Sequence, residues 1–291
     1  MKRNIQGDGW FRNFTFFFAA SIPLFLLALV IILIDQSRLS FSEFGWGFLF
    51  SSAWDPLKDV YGALPFIYGT IVSSLIALLI AVPLGLGCAI YLSEVSQSRF
   101  KEYLAVMVEL LAAIPSVVYG LWGIFVLGPW LGRLFLGAFS GPSMLTGGVI
   151  LAIMILPTIT AISREVFQSV PNSLRESACA LGATKWEGFK LAVFGPAKSG
   201  IIGSIILGLG RALGETMAVT MVIGNTPRIS PSLFAPAYTI ASVIANEFAE
   251  AVSDVNLSAL IELALVLLVM TIIVNGFARF IVWKTSIRYG R

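Results

Sequence analysis

Residues 14–34 read FTFFFAASIPLFLLALVIILI, a run without a single charge. A helix needs about 20 apolar residues to cross the hydrocarbon of a bilayer, and this stretch supplies them. Lys2, Arg3 and Arg12 precede it; Asp35-Gln36-Ser37-Arg38 follows it. A cleaved leader would have a shorter apolar region and end on small residues. The stretch therefore predicts a first membrane span that stays in place. The rest of the chain agrees: of 291 residues, 57% are hydrophobic and 12% charged, with a mean hydropathy of +0.90. That is too apolar for one soluble core.

Five further stretches are long and apolar enough to span: about 66–92, 104–127, 146–168, 200–224 and 257–283. Lipid offers no hydrogen-bond partner to an open backbone, so each must be helical. The expected fold is all-α and polytopic, with six transmembrane helices. A cytoplasmic N-terminus, 1–13, leads into a single transmembrane domain, 14–291. Pro83, Pro115 and Pro157 fall inside spans and predict kinks. With the N-terminus inside, one side of the membrane holds fourteen of the nineteen Lys and Arg. These include Lys2, Arg3, Arg99, Arg164, Arg175, Arg288 and Arg291, whereas the other side has only Arg38, Lys58, Arg133 and Arg228. Positively charged loops stay inside, which places both termini in the cytoplasm.

Several chemistries are excluded at once. There is no histidine, hence no imidazole proton relay and no His-based metal site. Cys88 and Cys179 lie far apart without CxxC spacing, and read as free, inert thiols. The net charge of +3 is too small to imply nucleic acid. No GxxxxGK[ST] phosphate loop occurs, so no ATP site is expected on this chain, and no catalytic or metal site is assigned.

Two outer segments exceed simple turns. Residues 35–65 carry Phe41, Phe44, Trp46, Phe48, Phe50 and Trp54, an aromatic mixture suited to the membrane interface. In 225–256, Ile240, Val243, Ile244 and Phe248 share one helical face, which predicts a short amphipathic helix on the outer surface. It serves either as a packed lid or as a gate.

The substantial cytoplasmic feature is the loop 169–199, within QSVPNSLRESACALGATKWEGFKLAVFGPAKS at 168–199. Ser173 with Glu176, and Thr184 with Glu187, fit capping boxes that open two short helices. Gly182 is placed to end the first in a left-handed turn, and Pro196 marks the entry to the fifth span. Leu174, Ala178, Leu181 and Phe189 would give this knob an apolar face with nothing of its own to cover, as expected of a surface for a partner protein.

Residues 208–220, GLGRALGETMAVT, set Arg211 and Glu215 four apart inside the fifth span. Twelve residues of helix from Ser199 place Arg211 about 18 Å in, just past the middle of a hydrocarbon core of about 30 Å. A charge at that depth costs at least about 2.5–3.5 kcal/mol, so it should face protein or water. Gly200, Ser204, Gly208, Ala212, Thr216 and Thr220 recur every four residues as a small-residue stripe for close helix contact. Two readings of the pair stand. Either Arg211 and Glu215 neutralise each other, or Arg211 contacts a passing oxyanion through its planar fork while Glu215 orients it. Thr216, Thr220, Asn225, Thr226 and Ser116 complete the candidate pathway. Glu109 and Glu262 read as structural.

Glu176-Ser177-Ala178 with Gly182, followed by Ala183, Thr184, Trp186 and Glu187, resembles the EAA loop of ABC-importer permeases; here Ser177 stands where the family usually has alanine. Together with LPFIYGTIVSSLIALLIAVPLGLG (64–87), ELLAAIPSVVYGLWG (109–123) and GLGRALGETMAVTMVIGNT (208–226), the chain is similar to the PstC-type permease subunits of bacterial high-affinity phosphate importers. The resemblance implies the type I ABC-importer permease fold, location in the bacterial inner membrane, and import by alternating access. It implies a soluble phosphate-binding protein outside and a homologous PstA-type permease beside the chain. Inside, two ATP-binding subunits would carry ATP and Mg and engage the loop, with no cofactor on this chain. The PstA-type sister subunit, or a permease for another oxyanion, remains an alternative. An ion-driven secondary transporter with Arg211 and Glu215 as a charge relay is a different class, but no internal repeat supports it. A membrane scaffold is a third.

Overall fold

The computed structural model describes residues 5–95, 100–135 and 141–286. Lys2, Arg3, Arg99, Arg288 and Arg291, counted for orientation, lie outside the described residues. In chain order the helices are α1 (Ile5–Gln36), α2 (Arg38–Phe44), α3 (Gly47–Phe50), α4 (Leu64–Ile90), α5 (Phe100–Ala113), α6 (Ser116–Trp122) and α7 (Gly128–Leu134). They continue with α8 (Met144–Ser169), α9 (Asn172–Ala180), α10 (Lys185–Gly188), α11 (Gly195–Gly214), α12 (Met217–Val222), α13 (Ile240–Glu247) and α14 (Asp254–Ser286). Among the described residues, six helical stretches are long and apolar enough to cross a membrane: Gly9–Gln36, Leu64–Val95, Ser116–Leu134, Met144–Ser169, Lys185–Gly214 and Asp254–Phe280.

Four of the six agree with the expected bounds, and two move. The third was expected over 104–127, but the chain breaks at Ile114–Pro115, and the apolar span is Ser116–Leu134. Pro115 takes an extended conformation (φ −57°, ψ 139°) and opens α6. Its ring disfavours helix at the residue before it, so the expected kink is a full break. Pro83 and Pro157 instead sit inside unbroken α4 and α8. The fifth span starts earlier than residue 200. A π-helical segment, Phe189–Phe194, joins α10 to α11, so Pro196 lies in the first turn of α11 and interrupts nothing. Its continuous helix stops at Gly214, and the short α12 resumes from Met217.

Small residues set the packing at the centre. On α8, Gly148 is pressed against Ile76 of α4, and a Cβ there would come within 2.5 Å of Ile76 Cγ2. On α11, Gly200 abuts Val166 and Gly208 abuts Ile159, while the Ser204 and Ser163 hydroxyls bond at 2.8 Å. The stripe from Gly200 to Ala212 is thus the face that α11 turns to α8. Thr216 and Thr220 do not continue it, because the helix ends before them.

A second core lies at one end of the bundle. Phe44, Phe48, Trp54, Tyr61, Phe66 and Tyr238 pack ring against ring. Phe48 is fully buried rather than at an interface, while Phe41, Trp46 and Phe50 remain exposed. α13 is anchored here: Ile240 and Val243 are buried, whereas Phe248 is exposed and lies beyond the helix. The irregular chain leading to α13 satisfies its backbone against the spans. Ala237 N–H donates to Ile223 C=O, Met144 N–H to Ala235 C=O, and Leu145 N–H to Leu233 C=O. Non-helical backbone near membrane depth requires such pairing. Burial pushes the hydroxyls of Tyr61 and Tyr238 up to about 12, so both stay neutral donors at ordinary pH.

Candidate functional site

The fifth span is a broken helix, and the break falls between the two charges. α11 ends at Gly214, Glu215 is extended (φ −71°, ψ 125°), and α12 begins at Met217. The expectation that Glu215 follows Arg211 on one helical face is thereby corrected. Glycine is a poor helix former, and the side chains of Glu215 and Thr216 compete for the freed backbone. Thr216 Oγ1 donates to Gly214 C=O at 3.3 Å. The Glu215 carboxylate accepts Ala218 N–H at 3.4 Å, the place an N-cap acceptor takes at a helix start.

Arg211, in the last turn of α11, sits where the helix dipole favours a cation. Its Nη1 donates to Thr158 Oγ1 of α8 at 3.3 Å. Among the described residues no carboxylate forms an ion pair with it. Mutual neutralisation of Arg211 and Glu215 is therefore not the arrangement found. Arg211 remains half-buried, with a fork free to take further acceptors.

α6 packs along α12. Gly120 lies against Met221 and Ala218, and Ser116 lies one turn before it at the start of α6. Tyr119, one turn beyond Ser116, donates its hydroxyl to Leu111 C=O at 2.7 Å across the Pro115 break. Thr220 bonds back to Thr216 C=O. Asn225, at φ 46°, donates to Thr220 C=O at 2.9 Å, and Thr226 donates to Gly224 C=O at 3.0 Å. These last two are turn-forming groups bonded within their own bend, and neither bonds Arg211. Thr158 was missed by sequence reasoning; its position after Pro157 in mid-span was the available signal.

The loop between α8 and α11 has the two-helix shape expected of it. Gly182, at φ 82°, turns the chain after α9, with Ala183 N–H donating to Ala178 C=O at 3.1 Å. At α10 both halves of a capping box form: Thr184 N–H to Glu187 Oε2 at 2.9 Å, and Glu187 N–H to Thr184 Oγ1 at 3.4 Å. The Thr184 hydroxyl also donates to Glu187 Oε2 at 2.7 Å, and this bond, with that from the Thr184 N–H, holds the Glu187 carboxyl below its usual range. The other box is absent. α9 starts at Asn172 with Pro171 as its cap, because the fixed extended entry of Pro171 (φ −56°, ψ 136°) starts the helix one residue before Ser173. Ser173 instead accepts the Ser177 hydroxyl through its carbonyl.

Leu181 is 88% exposed, and Leu174 and Trp186 are also open. Glu176 is exposed and Ala178 half-buried. Phe189, expected on this apolar face, is buried against Phe167, and Trp186 stacks on it with Lys190 over the Trp186 ring. Glu109 pairs with Arg164 at 3.6 Å, and buried Glu262 accepts the Ser40 hydroxyl, so both have structural partners. Cys88 and Cys179 are free.

Six spans, a broken central helix carrying a lone cation, and an exposed two-helix loop define a membrane permease. The chain belongs to the family of binding-protein-dependent transport system inner membrane components, which it matches over residues 81–286. Within it, the chain is similar to the phosphate transport system permease proteins PstC. It is 47% identical to that of Mesorhizobium japonicum over 94% of this chain and 89% of the relative. To that of Pasteurella multocida it is 44% identical, over 97% and 93% respectively. Solved structures share the fold. A bacterial alginate ABC transporter in complex with its alginate pentasaccharide-bound periplasmic protein aligns at TM-score 0.62 and 16% identity, covering 94% of this chain and 96% of that one. The inward-facing MetNI methionine ABC transporter aligns at TM-score 0.57 and 16% identity, covering 77% and 94%.

Proposed function

We propose that this chain is the membrane subunit of an ATP-driven phosphate importer, in which the anion passes Arg211 at the break of the fifth span. The observation that carries the reading is the state of that guanidinium: half-buried, held by one threonine hydroxyl, and without a carboxylate partner among the described residues. A bare cation in a membrane helix is costly unless it meets protein, water or a transported ion, and a planar fork suits bidentate contact with an oxyanion. Glu215 serves the broken helix as a cap rather than as a counter-ion. Thr158, Ser116, Thr216 and Thr220 line the approach, while Asn225 and Thr226 shape the turn beyond.

The exposed face of Leu174, Leu181 and Trp186 is the docking surface for an ATP-binding subunit, with Glu176, Ser177, Ala178, Gly182 and the Thr184–Glu187 box setting its shape. ATP and Mg act on that subunit, and this chain hydrolyses nothing itself. A PstA-type permease completes the pathway, and a soluble phosphate-binding protein delivers substrate on the outer side. Both termini are cytoplasmic, from the distribution of Lys and Arg.

The test is reconstitution of the assembled complex in proteoliposomes with the binding protein outside. Phosphate should accumulate only when the ATP-binding subunits have ATP. Accumulation driven by an ion gradient without ATP would support a secondary transporter instead.

A further inference from the structure

We propose that Arg175 is a positioning residue. Through it, movement of the cytoplasmic loop is passed to the second and fourth spans together. Arg175 lies on α9, and all five of its N–H donors have acceptors. Two go to Glu94 as a fork, Nη2 to Oε1 at 2.8 Å and Nε to Oε2 at 3.3 Å. Nη1 donates to Val170 C=O at 2.6 Å and to Asn172 Oδ1 at 3.2 Å, and Nη2 to Phe167 C=O at 2.7 Å.

The acceptors belong to three separate pieces of chain. Glu94 is in the π-helical turn Tyr91–Val95 that ends the second span. Phe167 is in the last turn of α8, where carbonyls lack helical partners, and Val170 follows that helix. Asn172 opens α9 itself. The junction from α8 to α9 is extended at Val170 (ψ 127°) and Pro171 (ψ 136°), so without a cross-link α9 would swivel there. No peptide connection shorter than two spans joins the loop to the second span; the Glu94–Arg175 fork supplies a direct one. The pair is largely shielded, with side chains 25% and 17% exposed. A bidentate charged contact of this kind fixes angle as well as distance. Lysine, with one point charge, could not hold all three pieces.

This inference rests on reading the loop as the ATPase docking surface, and goes beyond it by naming the link that carries the movement. The experiment uses the full complex in proteoliposomes, with Glu94→Gln, Arg175→Lys and the double variant. Three quantities are read: co-purification of the ATP-binding subunit, ATP hydrolysis, and phosphate taken up per ATP. Glu94→Gln keeps the shape and leaves Arg175 its carbonyl bonds, so assembly and hydrolysis should persist. Uptake per ATP should fall about tenfold, within the range of measured couplings between sites, and the double variant should be no worse than either single one. Unchanged uptake per ATP in both single variants would overturn the inference. So would a loss of uptake that only tracks lost complex or lost hydrolysis. Failure of the wild-type chain to hold the ATP-binding subunit would instead remove the docking reading beneath it.

Discussion

Gly69 of α4 faces the backbone of Tyr238. A Cβ placed on it would lie 2.2 Å from the Tyr238 carbonyl oxygen and 2.9 Å from its carbon. Ordinary contact needs about 3.5 Å, so Gly69→Ala requires one side to move by about 1 Å. Neither is free to do so. α4 is backed by α8 through the tight Ile76–Gly148 contact. Around Tyr238, Ala237 N–H bonds Ile223 C=O, Thr226 N–H bonds Ala237 C=O, and Ile240 N–H bonds Thr70 Oγ1 at 3.0 Å. The Tyr238 ring also packs on Phe66 at 5.4 Å. Overpacking costs about 1–3 kcal/mol, and replacing a helical glycine by alanine returns about 0.5–1 kcal/mol. The net expectation is destabilisation by up to about 2.5 kcal/mol, toward the upper end because the clash is with backbone. Gly87, on the same helix with nothing within 4 Å of its added Cβ, should show only the helix gain on Gly87→Ala. Thermal unfolding of the two purified variants in detergent separates the cases, with Gly69→Ala melting below wild type and Gly87→Ala at or above it. If Gly69→Ala were as stable as Gly87→Ala, the anchoring of 225–240 against α4 would be wrong.

Thr158→Val keeps the shape but removes the hydroxyl that bonds Arg211, so KM for phosphate uptake should change by about three- to tenfold while ATP hydrolysis is retained; an unchanged KM would remove Thr158 from the pathway. Glu247 accepts the Trp54 indole N–H at 2.9 Å, and burial raises its carboxyl above the usual value. Its stabilising contribution is therefore full below the unfolded carboxyl pKa and is lost as pH rises through the raised one. Protection factors around Trp54 and α13, exchange corrected for the intrinsic pH dependence, should fall over that window in wild type, and Glu247→Gln should abolish the fall. Glu187 has the opposite sign: its carboxyl is lowered by the Thr184 bonds, so its contribution is present above the unfolded value and fades as pH falls through the lowered one. Protection factors at 184–190, exchange corrected for the intrinsic pH dependence, should fall in acid, and Glu187→Gln should flatten that response.

What the sequence made readable follows from one-dimensional signals. Apolar length gave the six spans, and four-residue periodicity gave the α11 face that meets α8 at Gly200, Ser204 and Gly208. The Thr184–Glu187 box and the Gly182 turn are local chemistry, and both form. The misses arose where local rules compete or where partners are distant. The bounds 104–127 treated Pro115 as a kink, although its extended conformation ends one helix and starts another. Continuity through Glu215 was assumed because no proline marks the break, which side-chain bonds to backbone maintain. Phe189 had the right period for a free face, yet the π-helical segment turns it inward against Phe167. Glu94 and Arg175 are 81 residues apart, and no periodicity connects them.

The most direct measurement is phosphate uptake by the assembled complex carrying Arg211→Gln, with ATP hydrolysis measured on the same preparation. If the uncompensated guanidinium at the helix break is the anion's contact, uptake falls to background while the complex assembles and still hydrolyses ATP. Near-normal uptake would contradict a role for Arg211 in transport.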